Sequence, residues 1–150
     1  MSQTIRLRFP LFLALALGSA MLATAGDFWI SIQSPSTLKD GAAKNAVVLV
    51  RAEGCHNPAD ATVVGTAEGV VNGVHRSIPL KLEPVSQPAT FAVAPQWPSE
   101  GVWILKFDGL YRGLNRGALV RVKPGKFEKE SAELFHRKIT AEDLAAALKL

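Results

Sequence analysis

The sequence predicts an all-β domain: a seven-stranded, immunoglobulin-like antiparallel sandwich, followed by a short C-terminal helix. Three observations predict it. Short runs of alternating apolar and polar residues recur between Gly, Pro, Asn and Asp. Asn72-Gly73 separates two such runs, and this is the strongest short hairpin signal, because both residues tolerate the positive φ of a type I′ turn. From residue 126 onward the chain turns charged and helix-forming.

The chain opens on a signal-peptide pattern. "MSQTIRLRFP" carries Arg6 and Arg8 with no acidic residue, "LFLALALGSAML" is apolar, and Ala23 and Ala25 fit an A-x-A cleavage site. The apolar run is shorter than the roughly 20 residues of a membrane anchor. Residues 1–25 are therefore expected to be a signal peptide cleaved after Ala25, and the mature chain to be periplasmic or secreted with no membrane span. A chain of the remaining length buries roughly two-thirds of its unfolded surface and needs neither metal nor disulfide to fold. The signal segment takes two basic residues from a chain with 17 basic and 13 acidic ones. The small positive balance that remains makes nucleic acid a poor candidate partner.

The expected strands follow in order, with the sandwich over 26–125 and a helical tail over 126–150. "DFWISIQ" (27–33) alternates Phe28, Ile30 and Ile32 against Trp29, Ser31 and Gln33. "AVVLVRA" (46–52) is apolar on both faces until Arg51, which marks an interior strand. The runs 61–71 and 74–82 flank Asn72-Gly73, and the two-residue turn fixes their register. Val71 should face Val74, Gly69 Arg76, Ala67 Ile78 and Gly65 Leu80, with this set toward the core and His75 toward solvent. Gly65, Ala67 and Gly69 then leave room for a large side chain, for which Trp103, Trp97 and Trp29 are the candidates. "TFAVAPQW", "GVWILKFDG" and "GALVRVKPG" complete the seven. In the tail, Thr140 and Asp143 resemble a capping box with Asp in place of the usual Glu or Gln. A helix this short is marginal without a packing surface.

Successive connections in such a sandwich alternate between its two ends. Loops 53–60, 83–90 and 108–117 (the B–C, D–E and F–G loops) should cluster at one end, where binding groups usually sit. Tyr111, Arg112, Arg116 and Asp60 would share that end and are the candidate contacts for another envelope protein or a small anionic ligand. In "GLYRGLNRG", glycines recur every four residues around Arg112 and Arg116. The run reads either as a mobile loop whose guanidiniums clamp an anion or as a long flexible connection with solubilising charges.

Cys55, the sole cysteine, lies beside His56 at the same end. With no second cysteine, an internal disulfide is excluded, and Cys55 is buried, free, paired with another molecule or bound to something. A thiolate with imidazole suits copper or zinc, with Asp60, Asp108 or a carbonyl as third ligand. "NPAD" equally reads as plain turn chemistry, with Asn57 closing an Asx-turn. No cofactor is required by the sequence. With no G-x-S-x-G, no H-E-x-x-H and no second histidine near Cys55, neither a triad nor a zinc hydrolase assembles, and the chain is not expected to be an enzyme.

"AKNAVVLVRAEG" and "ATFAVAPQWPSEGVWILKF", with Phe91, Val93, Pro98, Gly101 and Trp103 in a G…F-x-V…P-x-x-G-x-W arrangement, resemble the small exported FixH/YtkA-like domains. The resemblance covers roughly residues 40–125. It implies a periplasmic or membrane-associated accessory domain, in some members linked to cation or copper handling around respiratory oxidases. The chain departs from that pattern by carrying a cleavable signal where an anchor is usual. Copper-resistance sandwiches with a mature N-terminal histidine are similar in outline, but Gly26 stands at that position. Three functional readings stand: a non-catalytic binding or accessory module, a metal or thiol-redox protein centred on Cys55-His56, and a structural envelope or adhesion domain.

Overall fold

The computed structural model describes residues 27–39, 41–54, 57–123 and 126–149. The expected signal peptide, Cys55 and His56 lie outside the described residues. Two antiparallel sheets form, with one short helix after them. The first sheet has the order β1 (Phe28–Gln33), β2 (Val48–Gly54), β6 (Thr90–Val93), β5 (Glu83–Pro84). The second has the order β10 (Glu133–Phe135), β8 (Leu114–Lys123), β7 (Val102–Tyr111), β3 (Thr62–Val71), β4 (Val74–Pro79). A two-residue strand, β9 (Lys126–Phe127), also pairs with β8.

Alternation along the strands builds one core between the sheets. Phe28 and Ile30, then Val48, Val50 and Ala52, meet Trp103, Leu105, Phe107, Val120 and Val122 from the other sheet. β2 lies between β1 and β6, as its continuous apolar character requires. Its opposite face presents Leu49, which packs on Ala43 and Ala92 under the segment that follows β1.

The β3–β4 hairpin has the register the sequence predicts. Val71 pairs with Val74, Gly69 with Arg76 and Ala67 with Ile78, and Leu80 N–H donates to the Gly65 carbonyl at 2.9 Å. Asn72 and Gly73 take φ of 51° and 76°, as a type I′ turn demands. Trp103 fills the space over Gly69, where a Cβ would lie 2.6 Å from its Cε3. Phe107, and none of the three tryptophans, covers Gly65 in the same way. Trp97 packs at the margin of this core.

Three expectations need correction. The run 74–82 is not one strand, because β4 ends at Pro79 and the chain crosses to the first sheet as β5. Gln96 holds the crossing: its Oε1 accepts from Lys81 N–H at 2.8 Å and its Nε2 donates to the Lys81 carbonyl at 3.0 Å. The run 90–97 is a strand only to Val93. The tail is not helical throughout, since β10 pairs with β8 before the helix α1 (Ala141–Lys149) begins.

The outer face of the second sheet supplies the surface α1 needs. Ile104 and Leu119 from the sheet bury against Ile139 and Ala147, with Phe135, Leu144 and Leu148 around them. Asp143 does serve in the capping box. Thr140 N–H donates to Asp143 Oδ2 at 2.8 Å, and Asp143 N–H donates back to Thr140 Oγ1 at 3.2 Å. Arg137 adds a two-pronged hydrogen bond to the same carboxylate. The Arg137 guanidinium, and next the Thr140 N–H, hold the Asp143 pKa well below the usual carboxylate range. Because the folded-state value is lowered, the contribution is present in full above about pH 3.9, the unfolded value for Asp, and is lost as pH falls from there toward the folded value. Amide exchange over 141–149 should accelerate in that acid window before the rest of the chain responds. Thr140→Ala should cost about 0.5–2 kcal/mol at neutral pH, read by thermal denaturation.

A candidate site at the loop end

Three pairings bring the expected loops to one end. Thr62 pairs with Leu110, Phe28 pairs with Gly54, and Ala52 N–H donates to the Ala89 carbonyl. The turns around 57–61 and 85–89 therefore lie at the same end of the two sheets as the tip of the β7–β8 hairpin. That much of the arrangement matches the expectation.

The loop over 108–117 does not. β7 runs on to Tyr111 and β8 starts at Leu114, with Asp108 paired to Gly117 and Tyr111 to Leu114. Only Arg112 and Gly113 form the turn, at φ of 47° and 80°. The glycine recurrence has a packing cause on either side of that turn. A Cβ on Gly109 would meet Ile30 at 2.7 Å, and one on Gly117 would meet Ile139 at 2.5 Å. Neither a mobile clamp nor a long flexible connection exists here. The two arginines are put to different uses: the Arg112 guanidinium carbon lies 5.1 Å over the Tyr111 ring, whereas Arg116 reaches inward from the strand.

Tyr111 is a core residue, 6% exposed, with its ring 5.6 Å from that of Phe28. Its buried hydroxyl has no hydrogen-bond partner among the described residues. A buried hydroxyl left unpaired costs about 1–3 kcal/mol. Tyr111→Phe should therefore leave the melting temperature unchanged or raise it, whereas a clear fall would reveal a partner for the phenol.

Asp60 ends a 3-10 turn, Pro58–Asp60, and is exposed. Asn57 makes no side-chain cap there; its Nδ2 donates to Asp60 Oδ1 at 3.2 Å instead of closing an Asx-turn. Asp108, the other carboxylate considered for Cys55-His56, lies on the outer face of the second sheet in an ion pair with Lys106. Among the described residues no group of three or more His, Cys, Asp or Glu side chains could hold a metal ion.

Arg116 is the candidate residue with a cavity in front of it. A pocket of about 160 Å³ opens between the edge of the first sheet and β10, walled by Asp27, Trp29, Ile30, Arg116, Leu134 and His136. Drug-sized ligands take about 300–1,000 Å³, so this pocket suits a smaller group. The guanidinium is anchored on two nitrogens. Nε donates to the Phe28 carbonyl at 2.6 Å, and Nη1 donates to the Asn115 and His136 carbonyls at 2.9 and 3.0 Å. Nη2 is different, with Asp27 Oδ1 at 3.6 Å, beyond hydrogen-bond reach. The Arg116 side chain is 14% exposed and that of Asp27 62%. No sequence pattern points to this pocket, because β10 lies in the segment expected to be helical.

A larger groove, about 480 Å³, runs along the outer face of the second sheet between α1 and residues 128–133. Its cations are engaged in holding the tail. Arg121 donates to the Ala147 carbonyl at 3.0 Å, and Lys123 pairs with Glu128. No helix among the described residues is long and apolar enough to cross a membrane. No protein-family model, curated protein or solved structure matches the chain.

Proposed function

We propose that this chain is an exported, non-catalytic binding or accessory module with an immunoglobulin-like sandwich, whose loop end takes a partner's carboxylate or a small anionic ligand. The observation that carries the reading is the Arg116 guanidinium on the wall of the 160 Å³ cavity, with Nη2 ion-paired to the exposed Asp27 at 3.6 Å and hydrogen-bonded to no carbonyl among the described residues. Nε and Nη1 are fixed by carbonyls, so the guanidinium is held in place before any ligand arrives, which spares the ordering cost of a mobile arginine. Trp29 and Leu134 line the same cavity and would cover the apolar body of a carboxylate bound there. Arg112, Asp60 and Tyr111 do not line this cavity.

The strand order supports the immunoglobulin-like assignment, since β1-β2-β6 and β3-β7-β8 correspond to the A-B-E and C-F-G groupings of such sandwiches. Export rests on the basic, apolar, small-residue pattern of 1–25. The accessory role rests on the FixH/YtkA-like resemblance.

Benzoate and acetate are suitable probes, with Kd on the order of 1 mM, about −4 kcal/mol. Either should raise the melting temperature of the wild type. Arg116→Lys keeps the charge but loses the fork, and should lose the shift. Asp27→Asn removes the competing carboxylate and should enlarge it. Equal shifts in all three proteins would remove Arg116 from the site.

A further inference from the structure

The edges of the two sheets are not equally protected. At β1, the Phe28 carbonyl is taken by Arg116 and the Phe28 N–H by Asp27. β5 has two residues, one of them Pro84, and β10 has three. β4 differs from the equally long β1, none of whose residues is exposed: all of β4 but Ile78 is exposed. Val74, on its core-facing row, is 60% exposed. A free edge of this length is a template for another strand.

The backbone polarity of that edge follows from the hairpin. Leu80 N–H bonds to the Gly65 carbonyl, and hydrogen-bonded pairs alternate along an antiparallel ladder. Ile78, Arg76 and Val74 therefore direct their backbone groups to β3. His75, Ser77 and Pro79 direct theirs outward, and Pro79 has no N–H to offer.

We infer that β4 pairs antiparallel with the β4 of a second copy about a two-fold axis at Ser77, joining the two five-stranded paths into one continuous sheet. In that register the two Ser77 residues exchange both backbone bonds, and each His75 N–H meets the second copy's Pro79 carbonyl. Only the His75 carbonyls lack a donor. An axis at Pro79 would put two residues without N–H at its centre, and an axis at His75 would set two histidines face to face. About Ser77, Val74 lies opposite the second copy's Leu80 and Arg76 opposite its Ile78, so exposed apolar surface is covered and no like charges meet directly. This pairing is independent of the ligand reading, because β4 lies at the edge of the second sheet remote from β8 and β10.

Sedimentation velocity on the chain from Gly26 onward, which contains every described residue, should give the mass of two chains. A second measurement does not depend on stability. In a Cys55→Ser background, Ser77→Cys places two Cα atoms about 5.5 Å apart across the axis, within disulfide range. Mild oxidation should yield a covalent dimer, while Val74→Cys in the same background should not cross-link. Ser77→Pro removes the N–H at the axis but leaves the bonds of Arg76 and Ile78 to β3, and should return the mass to one chain while circular dichroism stays that of the wild type. A wild type that stays monomeric, or a dimer that cross-links as well through residue 74 as through 77, overturns the inference.

Discussion

Trp103→Ala is expected to cost about 3–5 kcal/mol, the range for deleting a large buried aromatic. Trp103 is 2% exposed, and its ring lies over Gly69, which has no side chain with which to refill the gap. Of the neighbouring small positions, Gly65 is already covered by Phe107 and Ala67 is buried in the same core. Little can collapse into the space, so the cavity contribution should be near its maximum. The indole N–H donates to the Glu100 carbonyl at 2.8 Å, and that bond goes too. Urea denaturation should show a lower midpoint with an unchanged slope. A loss below about 1 kcal/mol would mean that the core over β3 is not packed as described.

The second large effect concerns the layer the tail adds. Gly117→Val should cost about 1–3 kcal/mol by overpacking, and the cost should fall on helix docking. The new side chain would start 2.5 Å from Ile139 Cγ1 and 2.8 Å from its Cδ1. Ile139 cannot withdraw easily, because Ile104, Leu119 and Ala147 enclose it. Residues 139–149 should therefore lift away, with faster amide exchange there and little change in β1, β2 and β6. Uniform destabilisation across both sheets would show instead that α1 and the sheets unfold as one unit.

The parts of the fold legible in the sequence were those set by local chemistry. Asn72-Gly73 fixed a register, and alternation then assigned faces to β3 and β4 correctly. The capping box was visible because Thr140 and Asp143 are three residues apart. What escaped was long-range. Glu68 lies on the face of β3 opposite the core row, yet it is 5% exposed. Its Oε1 accepts from the Thr66 and Ser77 hydroxyls, and His75 Nε2 lies 3.0 Å from its Oε2, off the line of a hydrogen bond. No pattern in the sequence announces that a tail seventy residues later folds back over that sheet. His75 does remain at the surface, as expected, with a side chain 51% exposed.

The candidate site was legible in its residues but not in its geometry. Arg112 and Arg116 looked alike because both flank glycines. The two-residue turn between Tyr111 and Leu114 takes Arg112, whereas Arg116 lies on the strand opposite Gly109 and faces inward. Trp29 and Asp27 entered the site through β1, which no loop-based argument would have brought to Arg116.

The central claim is that the Arg116 Nη2 edge and its cavity bind a carboxylate. The direct test is a titration of the Trp29 indole N–H resonance with benzoate, assigned by comparison with Trp29→Phe. A saturable shift of Trp29, absent for Trp97 and Trp103 and abolished in Arg116→Lys, is the predicted result. A Trp29 resonance that does not move, or that moves equally in Arg116→Lys, would contradict the claim.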